Sequence, residues 1–116
     1  MSLNAYQRAR TIVESPRAME CRLVRQITGD LIAAREQRLA GAQLTDILFR
    51  NRTMWNAFSD ACGARGNMLP GPLRAQLISI GLWVGRYTSE VTAGREDIDA
   101  LIDVNRSIIE GLEGNP

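Results

Sequence analysis

The most apolar stretch of the chain is LRAQLISIGLWVGRYTSEV, residues Leu73–Val91. Its length and the three- and four-residue spacing of its apolar side chains predict an α-helix. The residues expected on one face are Leu73, Leu77, Ile80, Val84, Tyr87 and Val91. Ile78 and Leu82 add a second apolar side. Because a surface helix needs only one apolar stripe, we expect one side in the core and the other near a binding groove.

A helix is also predicted near the start of the chain. Ser15 suits an N-cap and Pro16 the first helical position, and the helix is expected to run to about Leu39–Ala40 and stop at Gly41. Its expected core stripe consists of Leu23, Val24, Ile27, Leu31 and Ala34.

Two more helices complete the expected fold. One is predicted over Ala42–Ala61, with Gly63 as its C-cap. Gly94 is expected to end the central helix, and the last helix is expected to start near Arg95–Asp97. Since no segment alternates with a period of two, no sheet is expected. The sequence predicts an all-α fold, a small bundle of about four helices preceded by an N-terminal arm or short helix.

The composition indicates one domain, covering residues 1–116, with an ordinary globular content of 45% apolar and 23% charged residues. A net charge of +1 favours neither nucleic acid nor an anionic membrane as a partner. Cys21 and Cys62 lack metal-ligand spacing, so both are expected to be buried, reduced thiols. The N-terminal stretch has no apolar signal-peptide core, and no segment is apolar enough to span a bilayer. We therefore expect a soluble, cytoplasmic protein.

Catalytic chemistry is not expected. The chain has no His and no Lys, so its serines have no usual general base. Asp97, Asp99 and Asp103 are the best metal candidates, but at helical spacing the side chains of Asp97 and Asp99 diverge, and no calcium-loop pattern surrounds them. The glycine-rich GARGN segment lacks the Lys-Ser/Thr of a phosphate loop. The sequence predicts a non-enzymatic protein without cofactor or metal.

Several polar and aromatic residues have two interpretations. Trp83 projects onto the polar strip of the central helix and is either half-covered by a neighbouring segment or a recognition residue. Phe49 points away from the apolar stripe of its helix. Asn51 and Asn105 each lie at the centre of an apolar stripe and are either buried amides that fix helix register or groove residues that bind a partner.

Five stretches of the sequence together resemble the FlaF family of flagellar biosynthesis regulators of alphaproteobacteria. They are NAYQRA, ESPR with the following Glu20, the Trp55–Phe58–Asp60 run, LPGPLRAQLISIGLWVGRYT and IDALIDVNRSIIEGL. The resemblance runs from Asn4 to Leu112, nearly the whole chain. It implies a cytoplasmic helper that acts as a flagellin-directed secretion chaperone, in a system where an FlbT-type regulator acts at flagellin messenger RNA.

The resemblance is compatible with the two-sided central helix. Flagellin's terminal segments are amphipathic and pair as helices in the filament, and a spare apolar groove can cover such a segment before export. By helical geometry, the expected contact residues are Trp83, Leu82, Ile78, Arg86, Phe49 and Tyr6. The alternatives are a post-transcriptional regulator of flagellin mRNA or an adaptor to an FlbT-type regulator or an export component. Direct nucleic-acid binding is not expected, because the chain lacks an RNA-binding motif.

Overall fold

The computed structural model describes the backbone of residues 16–63 and 70–112 and the side chains of residues 21–63 and 70–111. In this part of the chain there are four helices: α1 (Pro16–Glu36), α2 (Gly41–Gly63), α3 (Gly71–Thr92) and α4 (Asp99–Leu112). No strand occurs among the described residues. The all-α prediction with about four helices is confirmed, whereas the predicted N-terminal arm, including Tyr6, lies outside the described residues.

Helix α1 ends earlier than predicted, at Glu36 rather than near Leu39–Ala40. Arg38 takes a left-handed backbone conformation with φ of 53°. The N–H of Leu39 donates to the carbonyl of Ala34 at 3.0 Å, and the N–H of Arg38 donates to that of Arg35 at 3.2 Å. These two bonds form a Schellman motif, which ends the helix five residues before Gly41 and has the non-glycine residue Arg38 in the left-handed position.

The predicted bounds of α2 and α4 also need correction. Helix α2 includes Gly41 and Gly63, so Gly63 is its last residue and not a cap beyond its end. Helix α4 starts at Asp99, after the predicted Arg95–Asp97. The carboxylate of Asp97 accepts the N–H of Asp99 at 3.0 Å, which satisfies a backbone donor at the helix start.

The end of α3 lies where the sequence predicted it. Gly94 has a φ of 78°, and a second Schellman motif is closed by the N–H of Arg95 donating to the carbonyl of Glu90 at 2.9 Å. Glycine reaches this left-handed conformation without the steric cost of a Cβ atom. The central helix therefore stops where glycine permits the chain to reverse.

Helix α2 packs against both α1 and α3, and helix α4 packs against α1. The most extensive of these contacts joins α2 to α3. Arg35, in the last turn of α1, donates to Asp99 at the start of α4 at 3.1 Å, and Arg50 of α2 donates to Asp30 of α1 at 2.9 Å. Helix α1 therefore runs antiparallel to both of its neighbours.

The core draws residues from all four helices. Its fully enclosed members are Val24, Leu31, Trp55, Val84, Leu101 and Ile102. Two expectations were wrong: Leu23 of the predicted α1 stripe is 44% exposed, and Leu73 of the central helix is also exposed. Cys62 is buried as predicted, but Cys21 is only half-buried, and the two cysteines are not joined by a disulfide bond.

Candidate functional site on the outer face of the α2–α3 hairpin

A close approach of α2 and α3 creates a pocket on the outside of this helix pair. Gly81 is buried, and a Cβ atom placed on it would collide with Oγ of Ser59 and lie 3.6 Å from the carbonyl oxygen of Trp55. Only the contact with the Ser59 hydroxyl is too short, so glycine at position 81 leaves room for the Ser59 side chain between the two helices. Beside this contact lies a pocket of about 360 Å³, lined by Asn56, Ser59, Asp60, Ile78, Gly81 and Leu82.

The pocket contains two of the predicted contact residues, Ile78 and Leu82. Leu82 is 61% exposed and Ile78 is half-buried, so an apolar surface remains that the described residues do not cover. A solitary exposed leucine is ordinary on a protein surface. Here, however, the leucine borders a concave site whose lining combines apolar residues of α3 with polar residues of α2, and such a site can accept a side chain of a partner.

Two other predicted residues extend the same surface. Phe49 is 66% exposed and precedes Asn56 by seven residues, which places both on one face of α2. Arg86 follows Leu82 by four residues on α3 and is exposed. We call the surface formed by Phe49, Arg52, Asn56, Asp60, Ile78, Leu82 and Arg86 the outer face.

Trp83 is separated from the outer face. Its ring stacks on that of Tyr87, with centroids 4.8 Å apart and an interplanar angle of 24°, and it packs against the core while remaining partly exposed. Residues 82 and 83 are about 100° apart around a helix, so the ring projects to a different flank. This arrangement matches the half-covered alternative for Trp83. The contact proposed for Tyr6 lies outside the described residues.

The two central asparagines belong to the interior. Nδ2 of Asn105 donates to Oδ1 of Asn51 at 2.8 Å, and Nε1 of Trp55 donates to Oδ1 of Asn105 at 2.9 Å. Asn51 and Asn105 are both fully buried. They are thus register-fixing amides that join α2 to α4, not groove residues.

The charged residues of the outer face form no ion pair with another described residue, and the same holds for Arg38 and Arg106 elsewhere, whereas three other arginines are paired. Arg35, Arg50 and Arg95 each form an ion pair with a carboxylate. Arg52 and Arg86 form no such pair with another described residue, and neither does Asp60. Their charges are available to a partner, although water and salt screen them.

The clearest pKa changes occur away from this surface. The hydrogen bond from Arg95, 2.6 Å from Nε to Oε2, lowers the pKa of the exposed Glu90 carboxyl. Burial, followed by the negative charges of Glu96 and Asp97, raises the pKa of the Tyr87 hydroxyl. That hydroxyl donates to the carbonyl of Asp97 at 2.9 Å. These hydrogen bonds hold the segment between α3 and α4 in place, and they do not indicate a functional site there.

Sequence reasoning missed part of the site, namely Arg52, Asn56, Ser59 and Asp60. Helical periodicity places Asn56 and Asp60 on the same side as Phe49, so that signal was present. The pairing of this side of α2 with the Leu82 side of α3 depends on which helices are neighbours, and periodicity carries no such information.

The described residues contain neither a candidate metal cluster nor a candidate membrane-spanning helix. Among the described residues, no group of three or more His, Cys, Asp or Glu side chains is placed to hold a metal ion. Within the same residues, no helix combines the length and apolarity needed to cross a membrane.

Comparison with known proteins identifies a family but no individual similar protein. No curated protein and no solved structure matches the chain. The model of the family described as "Flagellar protein FlaF" matches residues 2–112, which is nearly the whole sequence. The chain therefore belongs to the FlaF family of flagellar proteins.

Proposed function

We propose that this protein is a flagellin-binding secretion chaperone, which covers an amphipathic segment of flagellin in the cytoplasm before export. It acts by binding and not by catalysis. The family match supports a flagellar role. The observation that carries the proposal is the exposed apolar side chain of Leu82 in the α2–α3 pocket, with the exposed Phe49 on the same face of α2 as the pocket residue Asn56.

Helix-in-groove docking explains how such a surface serves a chaperone. An amphipathic helix presents apolar side chains at three- and four-residue steps, and one of them enters the pocket between Ile78 and Leu82. Phe49 extends the apolar contact along α2. Covering the client's apolar stripe prevents the premature pairing of flagellin helices, at the cost of ordering the client segment.

We leave Trp83 out of the proposed contact set because its ring is stacked on Tyr87 and packed against the core. The contacts proposed are therefore Leu82, Ile78, Phe49 and Arg86. A role for Tyr6 stays a prediction from the sequence.

Direct control of flagellin mRNA is the alternative, and no feature of the described residues favours it. Three arginines are already paired with carboxylates, which reduces the charge available to phosphates. An adaptor role toward an FlbT-type regulator or an export component uses the same kind of surface. These alternatives therefore have to be separated by the partner that binds.

A binding experiment with purified components separates them. The full-length protein is immobilised and offered purified flagellin, flagellin truncated at either end, and flagellin leader RNA. The proposal predicts that intact flagellin is retained, that one truncation abolishes retention, and that RNA is not retained at physiological salt. Retention of leader RNA with a steep salt dependence, but no retention of flagellin, would establish the alternative instead.

A further inference from the structure

We propose that the outer face carries opposite charges at its two ends and thereby fixes the direction in which a client helix docks. This inference rests on the proposed function, because it describes how the same face selects its client. The client is a flagellin amphipathic helix whose apolar pocket residue has an acidic residue toward one end and a basic residue toward the other.

The positive end is formed by Arg52 and Arg86. A Cβ atom placed on Gly85 would lie 3.9 Å from Nε of Arg52, so the Arg52 side chain reaches across to α3. Arg86 is the next residue along α3 and is exposed. Arg52 and Arg86 thus lie at about the same height along the axis of the α2–α3 helix pair. A carboxylate placed there can pair with either of them, and guanidinium groups suit bidentate contacts.

The negative end is formed by Asp60. It lines the pocket on α2, eight residues beyond Arg52, and it is exposed. Eight residues correspond to about 12 Å along a helix axis. Leu82 lies between the two ends and Asp60 lies at the far side of the pocket, because Gly81 lies beside Ser59 of α2 and Gly85 lies beside the Arg52 side chain.

The order of these groups predicts the order of groups on the client. A client helix that docks in the favoured direction has an acid near Arg52 and Arg86, an apolar side chain in the pocket, and a base near Asp60. The reversed helix places like charges together at both ends, which is unfavourable. The apolar contact supplies affinity and the charges select direction.

Charge reversal at each end tests the inference. Arg86→Glu and Asp60→Arg are made in the full-length protein, and Arg106→Glu serves as the control because Arg106 is an exposed arginine on α4. Circular dichroism verifies that all three stay folded. Equilibrium and association-rate constants for flagellin are then measured at low and at high salt.

The expected result is that Arg86→Glu and Asp60→Arg each weaken flagellin binding about three- to tenfold at low salt, with a smaller effect at high salt. Arg106→Glu leaves the affinity unchanged. Reversing the matching acidic residue of the client restores binding to Arg86→Glu.

Two results would overturn the inference. One is that both reversals behave like Arg106→Glu while Leu82→Ala still weakens binding, in which case the proposed function survives alone. The other is a concentration-dependent dimer that Leu82→Ala abolishes, which assigns the face to a second copy of the chain. If the unmodified protein fails to bind flagellin, the proposed function itself is wrong.

Discussion

Asn105 of α4 donates from Nδ2 to Oδ1 of Asn51 of α2 at 2.8 Å, with both side chains fully buried. Helices α2 and α4 are not among the helix pairs with the most extensive packing. The amide pair, extended by the bond from Trp55 to Asn105, therefore provides a specific link between them. Buried polar groups of this kind restrict the register of the helices that they join.

The first prediction concerns the unequal roles of the two asparagines. Asn105→Leu leaves both Nε1 of Trp55 and the Asn51 amide without their partner, whereas Asn51→Leu strands only Nδ2 of Asn105. Each buried polar group that loses its hydrogen bond costs about 1–3 kcal/mol. We expect Asn105→Leu to lower the free energy of unfolding about twice as much as Asn51→Leu, as measured by urea denaturation. The exposed Asn56 provides the control, and equal losses for the two buried sites would refute the assignment.

The second prediction compares the two left-handed helix ends. Arg38 has a φ of 53° and Gly94 a φ of 78°. A non-glycine residue pays a steric cost of about 1 kcal/mol in this conformation. Arg38→Gly is therefore expected to stabilise the protein by up to about 1 kcal/mol, and Gly94→Ala to destabilise it by about 1 kcal/mol. Thermal unfolding measures both, and shifts of the same sign would contradict the capping geometry.

The third prediction tests the close approach at Gly81. In Gly81→Ala the new methyl group collides with Oγ of Ser59, although its other neighbours lie at ordinary distances of 3.5 and 3.6 Å. We expect Gly81→Ala to lose up to about 1 kcal/mol, because the Ser59 hydroxyl must move away from the added methyl group. The double variant Gly81→Ala/Ser59→Ala should recover most of that loss. If removal of the Ser59 hydroxyl recovers nothing, the contact does not limit the approach of α2 and α3.

The fourth prediction concerns alkaline pH. The pKa of Tyr87 is raised above its ordinary value of 10.0 by burial and then by the charges of Glu96 and Asp97. Since the protonated hydroxyl is favoured in the folded state, its contribution to stability is present below pH 10.0 and is lost as the pH rises through the folded pKa. Absorbance titration in a Tyr6→Phe background, where Tyr87 is the remaining tyrosine, should give a pKa above 10.0. A Tyr87 pKa at or below 10.0 in the folded protein would contradict the buried, negatively charged surroundings of this hydroxyl.

Tyr87→Phe completes that test. It removes the hydrogen bond to the carbonyl of Asp97 and should cost about 1 kcal/mol of stability at neutral pH. The unfolding free energy of this variant should lack the part of the alkaline decline that Tyr87 causes. An unchanged decline would assign the alkaline sensitivity to other groups.

The helices were predictable because their signal is local. Apolar spacing identified the four helices, and Gly94 correctly marked the end of α3. The end of α1 was not predictable in this way, because Arg38 adopts a backbone conformation that glycine usually takes. Leu23 shows a similar limit, since its spacing fits the core stripe while no neighbouring helix covers it fully.

The site was predictable only in part, for the same physical reason. Ile78 and Leu82 were identified as surplus apolar surface on α3, and the structure places both in one pocket. The opposing wall, with Asn56 and Asp60, depends on the pairing of α2 with α3. Trp83 was grouped with Leu82 from helical geometry, and its ring stacks on Tyr87 on another flank of α3.

The affinity of Leu82→Ala for purified flagellin tests the central claim most directly. Leu23→Ala is the matched control, because Leu23 is a comparably exposed leucine on α1, with 44% exposure against 61% for Leu82. Full burial of a leucine side chain by a partner contributes about 1.5–3 kcal/mol, so Leu82→Ala should weaken binding by a factor of about 10 to 100 while Leu23→Ala leaves it unchanged. Equal affinities for the two folded variants would show that the outer face does not hold the client.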